Sequence, residues 1–89
     1  GLGCGEPETV ILHFSPRRAP WLQGRIKHAS QTQRMLEDGS LEMTMHVCCN
    51  WELLQWVLSF GGDVEVLAPE TLRRSVMDEA TTMRRVYGE

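Results

Sequence analysis

Asn50-Trp51-Glu52-Leu53-Leu54-Gln55-Trp56-Val57-Leu58-Ser59-Phe60-Gly61-Gly62-Asp63-Val64-Glu65-Val66-Leu67-Ala68-Pro69 is the stretch that decides the architecture of this chain. Asn50 is a favourable helix N-cap, because its side-chain oxygen can accept a bond from one of the unpaired amides of the first turn. Gly61 or Gly62 supplies the left-handed residue that stops a helix. A helix over residues 51–60 is therefore expected. Its polar side chains, Glu52, Gln55 and Ser59, lie on one narrow stripe, which leaves Leu53, Leu54, Trp56, Val57, Leu58 and Phe60 over most of the circumference. Such a helix must be covered from several sides. A short strand over 64–67 follows, and Pro69 opens a last helix in which Leu72, Val76, Ala80, Met83 and Tyr87 recur at spacings of four, four, three and four. That helix is amphipathic, with Arg73, Arg74, Asp78, Glu79, Arg84 and Arg85 mostly outside.

Upstream, residues 9–14 read as a strand with Val10, Leu12 and Phe14 on one face and Thr9, Ile11 and His13 on the other. Ser15-Pro16 ends it. Pro20, with Ala19 restricted before it, suggests a short helix over 20–26 whose inner face is Trp21, Leu22 and Ile26. Residues 29–36 and 41–47 flank Glu37-Asp38-Gly39-Ser40 and read as an antiparallel hairpin. In its second arm Leu41, Met43, Met45 and Val47 alternate with Glu42, Thr44 and His46. The order of elements predicts an α+β fold, a ferredoxin-like βαββαβ sandwich with an additional C-terminal helix. Helices cover one face of the sheet. The other face, with Ile11, His13, Glu42, Thr44, His46 and part of 30–34, is polar and either open or covered by a partner.

A chain of 89 residues, 42% of them apolar, has room for one core. Residues 1–7 are expected to be a linker or boundary and 8–89 a single domain. The opening Gly-Leu-Gly-Cys-Gly has neither the basic nor the apolar region of a secretory signal, and no stretch approaches the ~20 apolar residues that span a bilayer. Cys4, Cys48 and Cys49 are odd in number, and two are adjacent. They make a poor disulfide framework and fit a reducing compartment, so a cytoplasmic protein is expected. His46, Cys48 and Cys49 are unsuited to a metal, since alternation along a strand sends the two cysteines to opposite faces. No catalytic constellation stands out either. A Cys48 or Cys49 nucleophile with His46 as base would draw on near neighbours of one strand, which rarely align for that chemistry. The chain is expected to be non-enzymatic and to use no cofactor.

The net charge of −3 hides a segregation. Residues 17–34 hold five bases (Arg17, Arg18, Arg25, Lys27 and Arg34) and no acid, whereas 35–72 hold seven acids and no base. Two solvated faces account for this most simply. The alternative is a nucleic-acid contact, with those five residues on phosphates and Trp21 or His28 stacked on a base. The outer positions of the central strands, Ile11, His13, Thr44 and His46, lack the aromatic residues of a sheet-surface RNA binder of the RRM type.

The run from Trp51 to Arg73, with its helix-Gly-strand-Pro-helix order, resembles the C-terminal extension of bacterial WYL-domain transcriptional regulators, the WCX domain. Residues 10–14, Ala19, Arg25, Ser30-Gln31 and Asp38-Gly39-Ser40 fit the same pattern, so the resemblance covers nearly the whole chain. It implies a regulator with an N-terminal helix-turn-helix DNA reader and a central WYL sensor, neither of which is legible in this chain. It further implies roles in self-association and in passing an effector signal, in some members a nucleic-acid signal, to the DNA-binding end. A homodimer would cover the apolar helix and the amphipathic last helix, with Trp51, Leu54, Leu58, Leu72, Val76 and Met83 as interface candidates. The alternative is that the two helices cover each other and the sheet within one monomer.

Overall fold

The computed structural model describes residues 5–88. Four strands, β1 (Glu8–Phe14), β2 (Thr32–Met35), β3 (Leu41–Val47) and β4 (Val64–Ala68), form one antiparallel sheet in the order β2-β3-β1-β4. Three helices, α1 (Ala19–Leu22), α2 (Trp51–Leu58) and α3 (Glu70–Val86), complete an α+β fold compatible with the ferredoxin-like arrangement, with the additional C-terminal helix. Of the expected linker, residues 1–4 lie outside the described residues, and Gly5 to Pro7 form no helix or strand.

Alternation builds the core. Val10, Leu12 and Phe14 of β1 and Leu41, Met43 and Met45 of β3 are 0–1% exposed, and the register sets Val10 opposite Met45, Leu12 opposite Met43 and Phe14 opposite Leu41. Leu53, Leu54 and Val57 of α2 join this layer with Ala19, Leu22, Phe60, Val66 and Leu72. The other sheet face carries exposed Thr9 and His46 and half-buried Ile11, His13, Glu42 and Thr44. One cross-strand ion pair lies there, Arg34 to Glu42 at 3.3 Å.

The N-cap of α2 forms as expected: Asn50 Oδ1 accepts from the Leu53 amide at 2.9 Å. Gly61 takes φ +56, and one 3-10 turn (Gly61–Asp63) leads into β4. The hairpin loop is pinned by Asp38, whose Oδ1 accepts from both the amide and the hydroxyl of buried Ser40. Those bonds hold the Asp38 carboxyl below the usual carboxylate range.

The first helix departs from expectation. It stops at Leu22 because Gln23 turns extended and Gly24 takes φ +80. Of its expected inner face only Leu22 is buried, while Trp21 is 47% and Ile26 80% exposed. Two glutamines then hold the loop that the hairpin's first arm was expected to occupy. Gln31 Oε1 accepts from the Lys27 amide at 2.7 Å, and its Nε2 donates to the Arg25 carbonyl at 2.8 Å. Gln33 Nε2 donates to the Leu22 carbonyl at 3.0 Å. With its side chain bound into the loop, Gln31 precedes a strand that begins only at Thr32.

Candidate functional site

Two surfaces stand out, and α2 belongs to both. The first joins the basic segment to an aromatic cluster. Phe60 stands edge-on to Phe14, Trp56 and Trp21, with ring centroids 5.1, 5.0 and 5.9 Å apart. Three cations lie against these rings: Arg18 5.7 Å from the Phe60 centroid, Arg25 4.3 Å from Trp21 and Lys27 5.1 Å from Trp56. Such placement favours a cation electrostatically while leaving its outer side in water. Arg25 is further fixed by its Nε, which donates to the Trp21 carbonyl at 2.7 Å.

The five basic candidates do not act as one strip. Arg17 and Arg18 converge on Asp63, at 3.3 and 3.6 Å from its Oδ2, and Ser15 Oγ donates to Oδ1 at 2.9 Å. Arg18 Nε is buried without a hydrogen-bond partner, so its contact with Asp63 is ionic and too long for a hydrogen bond. Arg34 is paired with Glu42 on the far sheet face. Arg25 and Lys27 remain together, lining a recess of about 210 Å³ with Trp21 and Trp56. Asp63 was not singled out from the sequence. Its position after two glycines hinted at a turn, and nothing local announced a partner 48 residues away.

The second surface is an apolar groove of about 520 Å³ between α2 and the second half of α3, lined by Leu58, Gly61, Val76, Met83 and Tyr87 among others. The structure divides the six interface candidates. Leu54 and Leu72 are 5% and 0% exposed and spend their surface inside the chain. Leu58 and Val76 are half-buried at the groove, Met83 is 53% exposed along it, and Trp51 is 62% exposed at the start of α2. Tyr87, 80% exposed, lines the same groove and was missed as a site residue, although the four-four-three-four spacing contained it.

The cysteines bear on reactivity. Cys48 is disulfide-bonded, which corrects the expectation of a poor disulfide framework and removes the cysteines as an argument for a reducing compartment: count and adjacency do not determine whether one of two neighbours reaches a partner. Cys49 is a buried free thiol, and burial, then the nearby Glu8 carboxylate, push its pKa up to about 11. A thiol so held is a poor nucleophile at neutral pH. Among the described residues no group of three or more His, Cys, Asp or Glu side chains is placed to hold a metal ion, and no helix is long and apolar enough to cross a membrane.

The described residues thus form a small α+β sandwich with a cation-aromatic surface and an open apolar groove. Residues 6–84 match the WCX domain family, and the chain belongs to that family, the C-terminal extension of WYL-domain transcriptional regulators. Over 54 residues, 61% of this chain, it is 43% identical to Protein PafC of two strains of Mycobacterium tuberculosis, CDC 1551 / Oshkosh and H37Rv. That match spans 17% of the length of those relatives.

Proposed function

We propose that this chain is a non-enzymatic regulatory and dimerisation module of a WYL-family bacterial transcription factor, helping to transmit an effector signal to a DNA-binding domain outside the chain. The observation that carries this reading is the end of α3 and the residue after it, where Met83, Val86 and Tyr87 are 53–80% exposed and Met83 and Tyr87 line an apolar groove. Leaving that much apolar side chain in water costs free energy that a second subunit recovers. DNA is reached through the other domain, and the cytoplasm is where such a regulator works. The test is the mass in solution of a chain ending at Met77, which retains buried Leu72 and so keeps its core. The full chain is expected to be a dimer and the shortened chain a folded monomer. A monomeric full chain at high concentration sinks the reading.

A second reading has its own support: the domain binds a nucleic-acid effector, single-stranded DNA or RNA, through the basic segment. Arg25 stacked on exposed Trp21 and Lys27 on half-buried Trp56 combine phosphate-seeking cations with aromatic rings. The measurement is anisotropy of a labelled single-stranded oligonucleotide across a salt series. Binding that weakens as salt rises, and drops severalfold in Arg25→Ala with Lys27→Ala, supports this reading. Equal binding by parent and double variant removes it.

A further inference from the structure

We infer that the recess formed by the loop before β2, the end of β3 and the start of α2 binds a small zwitterion, an α-amino acid with an apolar side chain, whose carboxylate meets Lys27 and whose ammonium meets Glu52. The recess encloses about 300 Å³, at the lower end of the range of small-molecule sites, and is lined by Lys27, His28, Asn50 and Glu52 together with Met45 and Leu53. It is separate from the groove between α2 and α3, and among the described residues it shares only Lys27 with the recess at Trp21 and Trp56.

Two opposite charges line this recess without neutralising each other. Among the described residues, neither the Lys27 ammonium nor the Glu52 carboxylate belongs to an ion pair. The Lys27 ammonium instead stands 5.1 Å from the centroid of the Trp56 ring. A simple anion placed in the recess meets the charge of Glu52, and a simple cation meets that of Lys27. A ligand that carries both charges a few bonds apart complements both.

The uncharged groups fit the same ligand. Asn50 Oδ1 is spent on the Leu53 amide at 2.9 Å, so what Asn50 can offer is its NH2 group. His28 Nδ1 accepts from the Ser30 amide at 3.0 Å, which leaves Nε2–H as the donor of that ring. With Lys27 these make three donor groups for the two oxygens of a carboxylate, against one acceptor group, Glu52, for an ammonium. Met45 and Leu53, 1% and 5% exposed, give the ligand's side chain an apolar wall. The loop that carries Lys27 and His28 is fixed from both sides: Gln31 Oε1 accepts from the Lys27 amide at 2.7 Å, and Ser30 Oγ accepts from the His46 amide of β3 at 2.9 Å.

The test is a titration of the 89-residue chain, followed by its amide NMR shifts, with L-leucine, with L-leucinamide, which lacks the carboxylate, and with N-acetyl-L-leucine, which lacks the ammonium. L-Leucine is expected to shift residues 27–28, 45–47 and 50–53, and to bind at least tenfold more tightly than either analogue. Glu52→Gln is expected to weaken L-leucine at least fivefold and to leave N-acetyl-L-leucine no weaker; Lys27→Met is expected to weaken L-leucine as much and to leave L-leucinamide no weaker. Both side chains are on exposed residues, so the variants keep the fold, which circular dichroism checks. Equal binding of the three ligands, L-leucine binding indifferent to both substitutions, or no shift at these residues up to about 20 mM L-leucine each overturns the inference. Neither self-association nor strand binding uses Glu52, so those readings and this one stand or fall separately.

Discussion

Asn50 and Cys49 are neighbours with opposite tasks. Asn50 turns its side chain back on the first turn of α2, accepting from the Leu53 amide at 2.9 Å. Replacing it with Ala strips that partner from the helix end, and Asn50→Ala is expected to cost about 1 kcal/mol. Urea unfolding should show it as a lower midpoint with unchanged slope. Cys49 is buried as a neutral thiol, its pKa raised from 9.0 to about 11. The unfolded chain loses this proton first, so between about pH 9 and 11 the folded state binds more protons and stability falls as pH rises. Unfolding measured across that range should show the decline, and Cys49→Ala should flatten it. The cap was legible in the sequence because an N-cap acts within one turn. The burial of Cys49 was not, since whether it or Cys48 points inward depends on where β3 ends.

At the scale of elements, α3 is divided. Its first turns belong to the monomer: Leu72 is fully buried, and Arg73 donates to Glu65 Oε2 at 2.9 Å and to the Val66 carbonyl at 2.8 Å, tying the helix to β4. Its later turns touch little of their own domain. Leu72→Ala is expected to cost roughly 2–5 kcal/mol of folding stability. Met83→Ala should change the stability of the monomer by less than about 0.5 kcal/mol while weakening self-association. Thermal unfolding at low concentration, paired with sedimentation, separates the two effects. The periodicity of this helix was plain in the sequence, but its division was not: one stripe served for core and exposed surface alike, so Leu72 and Met83 looked equivalent. The shortness of α1 had a similar cause. Pro20 announced a beginning, whereas the end depended on Gly24 adopting φ +80 and on glutamines that hold the following loop from residues 31 and 33.

For the whole molecule, charge patterning was the least faithful guide. The block of five bases between residues 17 and 34 is dispersed by the fold: Arg17 and Arg18 to Asp63, Arg34 to Glu42, and Arg25 with Lys27 to the aromatic surface. A linear sequence shows which charges are neighbours, not which acid a turn delivers from 45 or 46 residues away. Hydrophobic alternation fared better because each strand of a two-layer fold declares its own buried face. What remains beyond the core is a helix end with an apolar stripe and a groove beside it, in a domain of the WCX family. The most direct test of the proposed assembly role is sedimentation velocity of the unmodified chain over a wide concentration range. A reversible shift from monomer to a species of twice the mass, with no larger aggregate, is the predicted result. A single monomeric boundary at every concentration would contradict it.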